Sequence, residues 1–488
     1  MVGINKCSTI VWMACTSCTI LLLVLLLLPA PVMPADSWFG KQASARQSSD
    51  SNASERCFCE LKGLIDDCSC SVESIDSFNN VQVYPILNSL LNRDFFRYWK
   101  VDLTKSCPFW PDDSRCAMQY CSVEQCEVPP GIKEPRVAPV REVEEEDCTG
   151  EEHLGYLNTT LSAESKAGFE KWAEHDSTQD SGFCEPEDEH APSSTYVDLL
   201  TNPERYTGYQ GVSAHRVWHS IYQENCFSAN SDSSGSPFSH ITDGSAMCLE
   251  KRTFYRAVSG LHASINVHLS ARYLLQDAKI GFGENVPAIW GHNIQEFQSR
   301  FDPAKTGGEG PTRLKNLYFL YLIEIRALAK AGSDLELMEF YTGEPEQDRD
   351  VRLAVRRLVK VARSFRHFDE SSYFSNGQSS LKEEFRLHFR NITRIMDCVG
   401  CDKCKLWGKL QVTGLGTALK ILFSGDFEDD SMSNTYDPQL ERELKERKPP
   451  SQPALKLTRF EVVALINAIG RLSRSIYELE QFRKLIAR

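Results

Sequence analysis

Three cysteines stand at intervals of three in Cys398-Val-Gly-Cys401-Asp-Lys-Cys404, and this run constrains the chain more than any other feature. On a helix that spacing puts all three on one side. The C-x-x-C pair within it is a candidate redox dithiol, because a helix N-terminus can hold the nearer sulfur as a thiolate. A second cluster, Cys107, Cys116, Cys121 and Cys126, lies far upstream. Two separated thiol groups in one large chain suggest an enzyme that moves electrons between disulfides. Two other readings compete. Cysteines of secreted proteins are ordinarily structural staples. C-x-x-C-x-x-C also resembles part of a ferredoxin run, although the fourth ligand and its proline are missing and no zinc-finger spacing is present.

The N-terminus sets the compartment. Lys6 is the sole charge before Asp36, and Ser8 to Met33 is largely apolar, most strongly from Ile20 to Leu28. Residues 1–35 read as a signal peptide with a cleavage site near Ala35, or as an uncleaved signal anchor, since the stretch is long enough to span a bilayer. The sequons at Asn52, Asn158 and Asn391 fit a lumenal protein. Leu485-Ile486-Ala487-Arg488 is not a KDEL-type signal, so retention is expected from membrane association or from a partner. Three of the 18 cysteines, Cys7, Cys15 and Cys18, fall in the N-terminal segment, and the remaining 15 are odd in number. At least one thiol is then unpaired, or pairings exchange. A chain of 488 residues does not need disulfides in place of a core. The net charge of −13 argues against nucleic acid as a partner.

Composition divides the rest. Residues 36–56 are Ser-rich and read as a flexible linker. Cys57-x-Cys59 and Cys68-x-Cys70 form a symmetric pattern that suits two nested staples. Residues 127–147 hold four prolines and the acidic run Glu142 to Asp147, which predicts a mobile loop ending at Cys148. The segment 174–195, with Cys184, is acidic and loop-like. From about residue 250 the pattern turns helical: Phe254 to Leu275, Leu314 to Ala331, Leu381 to Met396, and a last helix that opens on the capping box Thr458-Arg-Phe-Glu461 and runs to Leu485. Residues 425–455 read as disordered. Few alternating strands are evident, so the expected fold is mainly α, a single helical domain over residues 57–488 with stapled loops.

No G-x-G-x-x-G follows a strand, so any dinucleotide must bind between helices. Ser259 and His262 share a helical face. Arg205, Thr207 and Trp218 offer charge, hydroxyl and a flat ring. Arg300 and Arg313 flank the turn Gly307-Gly308-Glu309-Gly310 and could hold a pyrophosphate bidentately.

These residues bring a family into view. The chain resembles the endoplasmic oxidoreductins, the flavoprotein thiol oxidases that make disulfides in the endoplasmic reticulum. The matching stretches are Cys107-Pro-Phe-Trp through Cys126, Asn202-Pro-Glu-Arg-Tyr-Thr-Gly-Tyr209, Ser259 through Tyr273, and Asp397 through Lys409. The resemblance implies that Cys116 and Cys121 are a shuttle pair on a mobile loop (residues 116–150) that takes electrons from protein disulfide isomerase. It implies that Cys401 and Cys404 are the inner pair, with Cys404 facing FAD and Cys401 attacked by the shuttle. Arg205, Thr207, Trp218, Ser259, His262, Arg300 and Arg313 become FAD contacts, and oxygen the final acceptor, reduced to hydrogen peroxide. Cys148 and Cys126 become regulatory partners of Cys116 and Cys121. Cys57–Cys70, Cys59–Cys68, Cys107–Cys398 and Cys226–Cys248 become structural bridges, which leaves Cys184 over. The implied address is the lumen of the endoplasmic reticulum, at the lumenal face of the membrane.

Elementary chemistry agrees with these roles. Exchange needs a thiolate, an attackable sulfur and access. Cys116 lies nine residues beyond Cys107 and can reach at most about 30 Å from a bridge there. A Cys107–Cys398 bridge would close a very long loop, worth roughly 5 kcal/mol in the chain-entropy account. Two alternatives stand beside this reading: a redox-inactive lumenal binding protein stapled by disulfides, and a flavin-free isomerase.

Overall fold

Four helices that are buried nearly all round make the centre of this protein, and a helix so buried is stable only when other elements surround it. The computed structural model describes residues 61–65, 68–104, 161–174, 191–202, 221, 249–276, 279–281, 284–286, 289–306, 308–365, 379–396, 402–424 and 456–486. Helix accounts for 75% of the described residues, strand for little, and the fold is a mainly helical single domain as the pattern predicts. The linker 36–56, the loop 116–150 and the segment 425–455 lie outside the described residues.

In chain order, α1 (Val72–Phe78) starts at Ser71, whose hydroxyl accepts from the Ser74 N–H. A π turn, Asn79–Val83, carries the chain into α2 (Tyr84–Leu90). Short α3 (Asp94–Arg97) runs into β1 (Tyr98–Val101). Then come α4 (Ala163–Glu174), β2 (Thr195–Asp198) and α5 (Leu249–Ala271). Four short strands follow: β3 (Tyr273–Gln276), β4 (Lys279–Gly281), β5 (Glu284–Val286) and β6 (Ile289–Gly291). The remainder is helical: α6 (Ile294–Phe301), α7 (Pro303–Thr306), α8 (Gly310–Lys330), α9 (Gly332–Leu337), α10 (Pro345–Ser364), α11 (Ser379–Met396), α12 (Asp402–Phe423) and α13 (Arg459–Ile486).

The central helices are α5, α8, α12 and α13. α5 packs on α8 and α13, and α12 packs on α13 and α8. Two glycines let backbones meet. A Cβ on Gly260 would stand 2.3 Å from the Asn316 carbonyl oxygen of α8, and one on Gly414 of α12 would stand 2.4 Å from Ala468 Cβ and 2.6 Å from the Ala464 oxygen of α13. Outside this core, α10 buries one stripe, Val351, Val355, Leu358, Val359 and Ala362, at helical spacing. α11 does the same with Phe385, Phe389, Ile392 and Ile395.

One expected element is corrected. The helix read as Phe254 to Leu275 runs Leu249–Ala271, and Tyr273–Gln276 is a strand. Tyr273 pairs with Gly291 and Leu274 with Trp290, antiparallel. The ladder supplies backbone partners that local helical propensity could not foresee.

The sheet of β1 and β2 is antiparallel, with Trp99 opposite Val197 and Val101 opposite Thr195. One face, Trp99, Val101 and Val197, packs with Leu406, Trp407 and Leu410 of α12 and Phe460 and Ala464 of α13. The start of α13 is built as its capping box predicts. Glu461 N–H donates to Thr458 Oγ1 at 3.1 Å, and Thr458 N–H donates to Glu461 Oε2 at 2.9 Å. The same carboxylate takes the buried Lys420 ammonium of α12, Nζ to Oε1 at 2.9 Å. Glu461→Ala is therefore expected to cost about 3–5 kcal/mol, because it leaves a buried ammonium without its carboxylate. Thr458→Ala removes one cap bond and is expected to cost about 1 kcal/mol. Urea unfolding of both variants measures the difference, and equal losses would contradict this division.

Candidate functional site

Cys404 sits in the first turn of α12 by its backbone position. Unpaired N–H groups and the positive end of a helix make such a position favourable to an anion. Cys398 and Cys401 fall in 397–401, outside the described residues, as do Cys107, Cys116, Cys121, Cys126, Cys148, Cys226 and Cys248. Of the two nested staples expected near residue 60, Cys68 and Cys70 are described, with Cys70 buried, while Cys57 and Cys59 are not.

The first turns of α12 also hold two other chain segments. Lys405 Nζ donates to the Leu103 carbonyl at 3.1 Å, and Trp407 Nε1 donates to the Asn202 carbonyl at 2.8 Å. Leu103 lies four residues before Cys107, and Asn202 three before Arg205. The roots of the upstream cysteine cluster and of the Arg205–Thr207 stretch are thus pinned within a turn of Cys404. Asp102 braces the first root. It accepts from Thr104 N–H at 2.9 Å and Thr104 Oγ1 at 2.7 Å, and from the Ser193 hydroxyl. Burial pushes its carboxyl up, but the Ser193 and Thr104 hydrogen bonds and the Lys409 charge prevail and hold it below the usual range. Lys405, Lys409 and Asp102 are all buried.

A second group of expected residues converges on α5. Ser259, His262 and Asn266 form a buried polar stripe at intervals of three and four. Ser259 Oγ accepts from Asn316 Nδ2 at 3.0 Å. Arg300 donates through Nη1 to Asn266 Oδ1 at 2.7 Å and through Nε to Glu296 Oε1 at 2.9 Å, which fixes its fork beside the stripe. Burial, then the charges of Arg313 and Arg300, push the His262 imidazole well below its ordinary range, so it is neutral. The turn at Gly308, φ +95°, and a Gly310 backbone packed directly on the Phe301 carbonyl bring Arg313 back towards Arg300. Arg300 and Arg313 thus lie near enough to His262 for their charges to act on its ring, on the helix that also carries Ser259. Arg205, Thr207 and Trp218 lie outside the described residues. Sequence reasoning missed Gln411, seven residues after Cys404. Its side chain is buried, and neither amide atom has a hydrogen-bond partner among the described residues. An amide in that state suits contact with a polar ligand. It carries no signal in a single sequence.

The family model described as Endoplasmic Reticulum Oxidoreductin 1 (ERO1) matches residues 82–479. The chain belongs to this family. An Ero1-like protein of Drosophila melanogaster is 49% identical over 456 residues, 89% of this chain and 92% of that one. The ERO1-like protein alpha of Mus musculus is 47% identical over 471 residues, 92% and 96% of the two chains. The solved structure of Ero1p, described as a source of disulfide bonds for oxidative protein folding, aligns with a TM-score of 0.56 at 31% identity, covering 85% of this chain and 99% of that one. A cysteine mutant of the S. cerevisiae Ero1p aligns at 0.55 and 28%, covering 85% and 98%. This Ero1-family chain is accordingly an oxidoreductase of oxidative protein folding.

The His262 environment has a consequence for stability. Its folded-state imidazole resists protonation, whereas an unfolded one titrates near 6.5. Below that pH the unfolded chain binds the extra proton, so stability falls as pH falls. His262→Gln is expected to flatten the loss of melting temperature between about pH 7.5 and 5.5 relative to wild type. Parallel curves for the two proteins would refute the buried neutral imidazole.

Proposed function

We propose that the chain is an FAD-dependent thiol oxidase that reoxidises protein disulfide isomerase. Its shuttle pair, Cys116 and Cys121, takes two electrons from the isomerase. It passes them to the inner pair, Cys401 and Cys404. Bound FAD would accept that electron pair and hand it to oxygen, with hydrogen peroxide as product. The observation that supports this reading is that Lys405 and Trp407, next to Cys404 in the sequence, hold the carbonyls of Leu103 and Asn202, the last described residues before Cys107 and Arg205 but for Thr104.

The α5 neighbourhood fits the cofactor's chemistry. Two guanidiniums gather beside a neutral imidazole and a hydroxyl, a donor set suited to a pyrophosphate. Ser259, His262, Arg300 and Arg313, with Arg205, Thr207 and Trp218, would hold the group between helices. A neutral His262 can donate a hydrogen bond without adding charge to a site where Arg300 and Arg313 already pair with Glu296 and Glu309. Regulation would come from Cys148 and Cys126 capturing Cys116 and Cys121, which removes the free shuttle disulfide. The N-terminal apolar segment and the sequons support an address in the lumen of the endoplasmic reticulum, at the lumenal face of its membrane or with the isomerase.

Purified protein is expected to be yellow, with flavin absorbance at about one FAD per chain. A colourless, active isomerase or a colourless binding protein would overturn the reading. Cys404→Ala is expected to abolish oxygen uptake with every reductant. Cys121→Ala is expected to stop uptake driven by reduced isomerase while a small dithiol still reaches the inner pair. Equal loss in both variants on both substrates would remove the division of roles.

A further inference from the structure

α10 presents a basic face in an acidic chain. The net charge is −13, yet Arg352, Arg356, Arg357, Lys360 and Arg363 stand in residues 351–364 without a carboxylate among them. The helix turns its apolar stripe into the core. On the other side Arg349, Leu353, Arg356, Lys360 and Arg363 follow one another at intervals of four and three. That spacing makes them one ridge, about 21 Å long at the helical rise. All five are exposed, as is Arg357 beside them.

The carboxylates near this face are mostly engaged. Asp348 accepts from the Thr342 N–H at 2.8 Å and from its hydroxyl at 2.7 Å, and Glu344 accepts from Gln347 Nε2 at 2.7 Å. Asp350 pairs with Arg93 at 3.2 Å, and Glu336 of α9 pairs with Arg363 at 3.0 Å. Glu346, in the first turn, is the remaining acid of the helix. Arg349, Arg356, Arg357 and Lys360 have no ion-pair partner among the described residues. A convex ridge of like charge, with Leu353 as its sole apolar member, lacks the apolar centre on which a protein partner closes. It suits a plane of anions. Because the apolar stripe already faces the core, the helix cannot sink among acyl chains, and its contact is with headgroups. The route of the chain leads to the same surface. The apolar N-terminal segment ends near residue 35, and the described residues begin at 61. The stretch between them spans about 25–30 Å as a flexible coil. The π turn and α2, which follow soon after, pack on α10.

We propose that the basic ridge of α10 docks the protein on an anionic lipid surface, with its guanidiniums and the Lys360 ammonium against headgroup phosphates and carboxylates. This rests on the membrane address given above and names the face and the chemistry that serve it. Attraction between exposed charges acts within a Debye length, about 8 Å at physiological salt. A ridge laid on the headgroups is inside that distance, while charges on the far side of the domain are screened. Guanidiniums suit the role, because each offers parallel N–H donors to the oxygens of a phosphate or carboxylate.

The test is co-sedimentation of the full chain with vesicles of phosphatidylcholine, either alone or with about one third phosphatidylserine, at low and at high salt. Wild type is expected to bind the anionic vesicles at least about tenfold more tightly than the neutral ones at low salt, and to lose that gain at high salt. Arg356→Glu with Lys360→Glu is expected to weaken binding to the anionic vesicles at least about fivefold. Its melting temperature and its oxygen uptake with dithiothreitol are expected to stay at wild-type values. Arg349→Gln with Arg357→Gln is expected to act in the same direction and stands in if the first pair does not fold. Lys305→Glu with Lys484→Glu makes the same change of net charge at exposed positions of α7 and α13 and is expected to bind as wild type does. Unchanged binding by the α10 variants would overturn the proposal, and so would an equal loss in the control pair. Displacement from the vesicles by millimolar inorganic phosphate would also overturn it, since the ridge would then be a small-anion site. A raised KM for reduced isomerase with vesicle binding unchanged would make the ridge a docking face for an acidic protein and would refute the lipid surface. Wild type that binds neither kind of vesicle would sink the membrane address itself. Wild type that binds both kinds equally would keep the address, through the N-terminal segment, and refute the ridge alone.

Discussion

The contact between α12 and α13 at Gly414 governs the rest of the structure. With no Cβ at that position, the α12 backbone lies directly on Ala464 and Ala468. Any larger side chain there would force the two helices apart or shift them along one another. The contact is closed at one end by the buried Lys420–Glu461 pair. Towards the other end Arg471 lies over the Trp407 ring at 5.8 Å. A helix fixed at both ends and at its middle cannot rotate, so its first turn, which carries Cys404, has a set direction.

α12 also carries the neighbouring sheet. The β1–β2 sheet lies on it through Trp99, Val101 and Val197. The opposite side of the sheet rests on Arg459, which is fully buried and donates to the carbonyls of Phe95 at 3.0 Å and Tyr98 at 2.7 Å. The Arg459 guanidinium also stacks over Phe169 at 4.2 Å. A planar, weakly hydrated cation among aromatic rings is the form in which a charge is most cheaply buried. Arg459 follows the cap residue Thr458, so one short stretch starts α13, closes the Lys420 pair and supports the β1–β2 sheet. Function and fold share these contacts, and the buried charges here orient segments more than they stabilise the whole.

Polar groups inside the bundle divide in the same way. Ser264 meets Ser475 at 2.7 Å and His268 Nε2 lies 3.2 Å from the Arg471 carbonyl, which sets the register of α5 on α13. The other polar stripe of α5, Ser259, His262 and Asn266, turns towards Arg300 and Arg313 instead. One helix thus carries two polar stripes, one facing α13 and one facing Arg300, separated by its own periodicity.

What the sequence determined by itself follows from local rules. Apolar periodicity marked the helices, Thr458 and Glu461 marked the start of the last one, and the three-residue spacing of Ser259 and His262 put them on one face. The cysteine runs carried the family resemblance because their spacing is a property of the chain alone. Tertiary structure decided the rest. It ended α5 at Ala271, because β6 offered Tyr273 and Leu274 backbone partners. It chose Lys420 as the second partner of Glu461, brought Arg300 and Arg313 to His262, and set Lys405 against Leu103 across 302 positions. Such pairings depend on which helix faces meet and how closely, and Gly414 and Gly260 decide that only once their partners are in place. A single sequence records each residue's own preference but not its neighbour in space, so the helices were legible and the contacts that aim the chemistry were not.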